Sequence, residues 1–338
     1  MIGDLNNFYQ VFSGQPSYRL RQAELFIFGE LGDDWANAKS LPEGLRQKLA
    51  SLFPLEIKAR LLASQKSASL KILLPLQDGL EVESVLMRHQ DGRNTVCVSS
   101  QVGCSLGCLF CATGQLGFSR NLTAWEILQQ VLFFSRWLQK EGQRVSNVVF
   151  MGMGEPFLNY DNVLSAIKIL NAKNGLSIGA RRLSISTVGI VEGIEKLARE
   201  NLQVNLAISL HAPNDKIRSQ IIPANKKYPL ARIIKAVDDY IEKTGRKVMF
   251  EYVLLNGVND SAENARALAV LMKKPLYLVN LILHNQTDNF RPSSGGQAKK
   301  FKEILQKSGI EVSQRYRFGE DIKAACGQLA GERKERVD

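Results

Sequence analysis

From residue 95 to residue 283 the chain alternates short aliphatic and β-branched runs with amphipathic stretches of helical length. The runs at 95–100, 147–150, 182–186, 204–209, 247–254 and 277–283 have the length and composition of strands. Between them, 123–141, 160–172, 189–200, 229–244 and 260–273 place apolar residues three and four apart, as one buried helix face requires. Six strands joined by helices predict an α/β fold with a parallel sheet, in the form of a partial, open TIM-like (β/α)6 barrel.

The pattern differs before this core. Residues 1–65 read as a small helical domain, with helical spacing over 18–28 and 41–53 and Pro42-Glu43 as a helix start. Over 66–90 the period falls to two, and runs at 69–75 and 81–87 flank Gln77-Asp78-Gly79, predicting a β-hairpin. The core is expected over 91–330 and a short tail over 331–338. No internal repeat stands out.

The 338 residues and 45% hydrophobic content are enough for one sizeable core. A formal net charge of +11 points to a polyanionic partner, since Lys and Arg supply the sequence-independent part of nucleic-acid affinity. Arg19, Arg21, Lys39, Arg46, Lys48, Lys58 and Arg60 of the first domain suit RNA or a solvated helix face equally. Neither a secretory leader nor a run of spanning length is visible, so no membrane role and a cytoplasmic location are expected. An odd count of five cysteines there points to metal binding or reactivity rather than a disulfide scaffold.

Four of those cysteines lie between Cys97 and Cys111. Cys104, Cys108 and Cys111, spaced Cys-x3-Cys-x2-Cys, can each bind one iron of a [4Fe-4S] cube and leave the fourth iron open to chelation by a small molecule. A zinc knot or three inert thiols is the alternative. Zinc wants a fourth ligand, and His89, His211 and His284 do not stand at knuckle spacing. Short motifs follow the later strands, where the active site of such a barrel gathers. Gly152-Met-Gly154-Glu155 can accept an ammonium, Ser186, Ser209 and Asn285 offer hydroxyl and amide partners, and Leu210 and His211 complete Ser209-Leu-His211. Downstream, Ala-Ala-Cys326-Gly-Gln-Leu surrounds a thiol with small residues that leave room for a substrate; a buried structural thiol would look the same.

The cysteine triplet, with Phe110 before its last member and Ala112-Thr113-Gly114 after it, resembles the radical S-adenosylmethionine (SAM) superfamily. With Cys97-Val-Ser-Ser-Gln-Val-Gly-Cys104, Gly152-Met-Gly-Glu155, Val258-Asn-Asp260 and Ala-Ala-Cys326-Gly-Gln-Leu, the chain is similar over 18–330 to the RlmN/Cfr family of radical SAM 23S rRNA adenosine methyltransferases. The resemblance implies one [4Fe-4S] cluster per chain, SAM as methyl and radical source, and methylation of Cys326 by a first SAM. A radical made from a second SAM then activates that methyl group for addition to an adenine ring carbon. It further implies release through a disulfide between Cys97 and Cys326, and Glu83 as the proton acceptor. Its partners would be 23S rRNA, transfer RNA in some members, and a cellular electron donor such as flavodoxin, with the chain a monomer.

RlmN-type members act at C2 and Cfr-type members at C8. Residues 206–215 resemble RlmN, whereas 181–187, 317–319 and Tyr18-Arg-Leu-Arg-Gln resemble Cfr. The chain departs from many RlmN-type members at Leu283-His284-Asn285, which lacks a nearby proline, and in a shortened segment over 286–297. C2 is the expectation, with Cfr-type C8 methylation giving antibiotic resistance as the alternative. A non-catalytic zinc-knot RNA-binding protein is the more distant one.

Overall fold

The computed structural model describes residues 5–66, 68–285, 290–315, 319–324 and 326–329. Its strands are β1 (Arg60–Ala63), β2 (Ser69–Pro75), β3 (Glu81–Arg88), β4 (Asn94–Cys97), β5 (Gln101–Gly103), β6 (Phe118–Asn121), β7 (Asn147–Phe150), β8 (Leu183–Thr187), β9 (Asn205–Ser209), β10 (Val248–Leu254), β11 (Tyr277–Leu283) and β12 (Val312–Gln314). Ten of them form one sheet in the order β1-β2-β3-β4-β7-β8-β9-β10-β11-β12, and β5 and β6 pair separately. From β4 to β12 every neighbour is parallel, while β1 to β4 pair antiparallel.

The sheet is open, with β1 and β12 as its edges, so the expected partial barrel is present as a mixed sheet that does not close. Two differences from the sequence reading follow from strand length. The expected hairpin is β2–β3, but it continues into the core sheet through β3–β4 and gains β1 on its outer side. A seventh parallel strand, β12, joins the six expected. β1 and β12 hold four and three residues, too few for alternation to register.

Helix Ala124–Gln139 shows why the core helices form where they do. Thr123 and Glu126 make a reciprocal capping box, and the apolar stripe from Ile127 to Leu138 is fully buried. The N-terminal segment that carries helices Leu5–Val11, Ser17–Glu24 and Glu43–Leu52 meets this helix through the residues that connect and follow them. Phe53 lies 4.4 Å from Trp125 between ring centroids, and Arg136 donates to the carbonyls of Leu31, Gly32 and Leu55 at 2.6–3.1 Å. One arginine thus satisfies three carbonyls of the helical segment where it meets the core. Among the described residues no helix is long and apolar enough to cross a membrane.

Candidate active site

The segment after β4 is held in place by side chains of neighbouring elements. Gln130 accepts from Ser99 N and donates to Ser99 O, while Asn159 donates to the carbonyls of Ser100 and Leu122. Gly154 explains how the loop after β7 packs against it. Its φ is +96°, and a Cβ there would fall 2.5 Å from Gln101 Cβ, so only glycine lets the two segments approach.

Cys104, Cys108 and Cys111 open onto one cavity of about 980 Å³ at the C-terminal ends of the strands, shared with Gly154, Ser186, Ser209 and His211. Burial pushes all three thiols up, Cys104 to about 12, so as thiolates they would need a cation beside them. Among the described residues no three His, Cys, Asp or Glu side chains converge on a single ion position. A cube of four irons does not require that, because each thiolate binds its own iron. Soft donors on one loop, facing a roomy cavity with bare glycine backbone opposite, fit a [4Fe-4S] cluster and a small chelating molecule.

A second cavity of about 750 Å³ adjoins the first and is lined by Cys97, Met151, Asn285, Arg315 and Cys326. Cys111, Met151, Arg315 and Cys326 line both. The chain near Cys326 is fastened to the cysteine loop, since Ala112 N donates to Gly327 O at 2.7 Å and Thr113 Oγ1 donates to Leu329 O. Two cysteines more than two hundred residues apart in sequence therefore share a wall. All five cysteines are free thiols, so the Cys97–Cys326 disulfide that the resemblance implies is not formed in this structure. Burial, and after it the neighbouring Cys326, pushes Cys97 up to about 12.

Several expected residues do different work from that read in the sequence. Glu155 faces the cluster cavity, but its carboxylate accepts from Phe157 N at 3.0 Å and Val188 N at 2.8 Å, and so ties the ends of β7 and β8 together. Ser186 and Ser209 face the cavity and lie 3.3 Å apart between hydroxyls. The Leu210 side chain is buried in the core and lines neither cavity, because strand alternation turns it away from Ser209. His211 has a φ of +57°, which aims its ring at the cavity; Nδ1 accepts from Val253 N at 3.1 Å, so the neutral ring carries its proton on Nε2. Burial lowers His211 to about 3. Asn285 lines the second cavity with its Oδ1 buried and unpartnered among the described residues, an acceptor waiting for a donor. His284, which carries no expected role, is buried and lines the cluster cavity.

Glu83 is buried on β3 and lines neither cavity; Lys71 on β2 donates to it at 2.9 Å. That lysine was not singled out in the sequence, nor were Arg218 and Glu251. Arg218 on helix Asp215–Ile221 is fully buried and donates to the carbonyls of Val188, Ser209, Leu210 and Tyr228 and to Asn225 Oδ1. It pins the loops that carry Ser209 and His211. Of the other expected features, 286–289 of the shortened segment, 317–318 of the 317–319 stretch, Ala325 and the 331–338 tail lie outside the described residues.

The Glu155 carboxyl, raised by burial to about 7, gives a pH signature. The folded chain holds its proton from pH 4.5 up to about 7, whereas the unfolded chain releases it near 4.5. The stability it contributes is therefore complete below pH 4.5 and is lost as pH rises to 7. His211 slopes the other way between about 3 and 6.5, so the quantity to measure is the difference between wild type and Glu155→Gln. In urea denaturation of the cluster-free chain, that difference is expected to shift by roughly 3 kcal/mol against the wild type between pH 5 and 8. A difference constant with pH would contradict it.

Residues 98–269 match the profile of the Radical SAM superfamily. The chain is 47% identical over 94% of its length to a protein of Dictyoglomus thermophilum named "Probable dual-specificity RNA methyltransferase RlmN", covering 91% of that protein. It is 44% identical over 94% of its length to "Ribosomal RNA large subunit methyltransferase N" of Nitrosopumilus maritimus, covering 93% of it. It superposes on the crystal structure of a radical SAM methyltransferase from Sphaerobacter thermophilus with a TM-score of 0.92, at 44% identity and with 96% of each chain covered.

Proposed function

Because this chain belongs to the RlmN/Cfr family of radical SAM methyltransferases and is an RNA methyltransferase of the RlmN type, we propose that it methylates a ring carbon of adenosine in 23S rRNA, at C2, and transfer RNA as well. Its relatives' names support the substrate class, and "dual-specificity" among them supports more than one RNA. The observation that carries the reaction type is the position of Cys326, whose side of the wall faces both the cysteine-loop cavity and Cys97.

When bound, a [4Fe-4S] cluster and SAM supply the electron, the methyl group and the radical that an unreactive amidine carbon requires. Cys104, Cys108 and Cys111 hold the cluster. The backbone of Gly152–Glu155 and the hydroxyls of Ser186 and Ser209 hold SAM, with His211 Nε2–H a donor on the same wall and Asn285 Oδ1 an acceptor on the next. Glu155 acts chiefly by fixing that wall, since its oxygens are already engaged by Phe157 N and Val188 N. Cys326 carries the methyl group to the RNA. Glu83, held by Lys71, accepts the proton that leaves the adenine ring, and Cys97 frees the product by pairing with Cys326. Val253 lines the first wall, and Ile208 and Leu210 beside it are fully buried.

Nucleoside mass spectrometry of ribosomal and transfer RNA, from cells with and without the protein, tests the reading. Gain of 2-methyladenosine in 23S rRNA supports it; 8-methyladenosine would assign the Cfr-type activity instead, and no methyladenosine in either RNA would refute both.

A further inference from the structure

Arg315 is a half-buried cation that the proposed chemistry leaves without a task. Directly after β12, it places Nη1 3.0 Å from Cys326 Sγ, Nη2 3.0 Å from Met151 Sδ, and Nη2 3.5 Å from the buried Glu251 carboxylate. Arg315 N also donates to Leu281 O at 2.9 Å, which fixes the residue against β11. Glu251 is held in turn by Asn280 Nδ2 at 2.8 Å. Burial alone would lower Arg315, but the charges of Glu251 and of the Cys326 sulfur outweigh it and raise it, so the guanidinium stays protonated. A planar fork anchored by a carboxylate on one side and presenting an N–H to sulfur on the other is a fixed pointer, unlike a lysine on a flexible stem.

We propose that Arg315 is the positioning residue for the Cys326 sulfur: it holds that sulfur between the two cavities for attack and loses its grip once the sulfur is alkylated. This rests on the reading of Cys326 as methyl carrier. A hydrogen bond from a cation to sulfur favours the anion, which is the form that attacks. In the loading step the anionic sulfur forms a bond to the methyl carbon of a sulfonium donor as the donor's own carbon–sulfur bond breaks. The electron pair leaves with the donor sulfur, giving two neutral thioethers and no proton. A thioether is a weak acceptor without charge, so the contact with Arg315 weakens and the loaded side chain is released to turn within the shared space. Glu251 and Met151 remain as partners for the guanidinium, which spares it the cost of an unpaired buried charge.

The test uses the anaerobically reconstituted enzyme and follows Cys326 by peptide mass spectrometry, reading both its S-methylation by SAM and its alkylation by iodoacetamide. Arg315→Met is expected to slow both at least tenfold, and Arg315→Lys, which keeps a charge but offers no fork, to recover only part of that loss. Because the methionine variant strands Glu251, Arg315→Met with Glu251→Gln is measured beside it and is expected to show the same loss. Wild-type rates in either methionine variant, or no recovery with lysine, overturn the proposal. A wild-type Cys326 that reacts quickly with iodoacetamide, and does so through Arg315, yet never acquires a methyl group refutes the carrier reading while upholding the contact.

Discussion

Cys326→Ala is expected to bring RNA methylation down by at least about a thousandfold, to background, while reductive cleavage of SAM to 5′-deoxyadenosine persists. The two activities separate because they use different walls of one space. Cys104, Cys108, Gly154, Ser186 and Ser209 line the cluster cavity alone, and Cys326 stands at its boundary with the cavity of Cys97. Removing one sulfur leaves Ala112 N–Gly327 O and Thr113–Leu329, the bonds that seat this segment, in place. The check is a single anaerobic assay scored for 5′-deoxyadenosine and for methylated RNA. Methylation that survives in the variant would mean that the methyl group reaches RNA without a protein carrier.

Cys108→Ala has the other large effect. Loss of one of three thiolates should lower iron and sulfide from about four per chain to below one and abolish both activities. Thermal unfolding of the cluster-free variant should stay near that of the cluster-free wild type, because the loop is seated by backbone bonds such as Leu109 N–Ile221 O and Cys104 N–Gly117 O rather than by the thiol. Metal analysis with visible absorption after anaerobic reconstitution decides the matter. Zinc alone in the wild type would establish the zinc-knot alternative and remove the basis for radical chemistry.

The strand and helix periods of the core were legible because β4, β9, β10 and β11 are buried along most of their length and the long helices on one face, so composition and spacing repeat what burial demands. Helix Asp215–Ile221 escaped: it is seven residues long and mostly polar, and its importance lies in Arg218, which the sequence presents as one more surface charge. Lys71, Glu251 and Arg315 were hidden for the same reason. A charge drawn into the fold differs from a solvated one only in what the fold brings to it, here Glu83, Cys326 and backbone carbonyls distant in sequence. Glu155 shows the opposite case. Its motif was legible, but the carboxylate serves two backbone donors from the segments that follow β7 and β8, and local sequence holds no sign of the second, Val188. Leu210 was read with its neighbours as a unit, although adjacent residues of a strand end face opposite sides.

The bond from Thr113 to Leu329 spans 216 positions along the polypeptide. A growing chain emerging from the ribosome can shape its cysteine loop well before the sulfur that must face it has been translated. Long-range closure of this kind comes late in folding. Until it happens, the wall that Cys111 and Cys326 share is missing, and the site is complete only once the segment after β12 has been made.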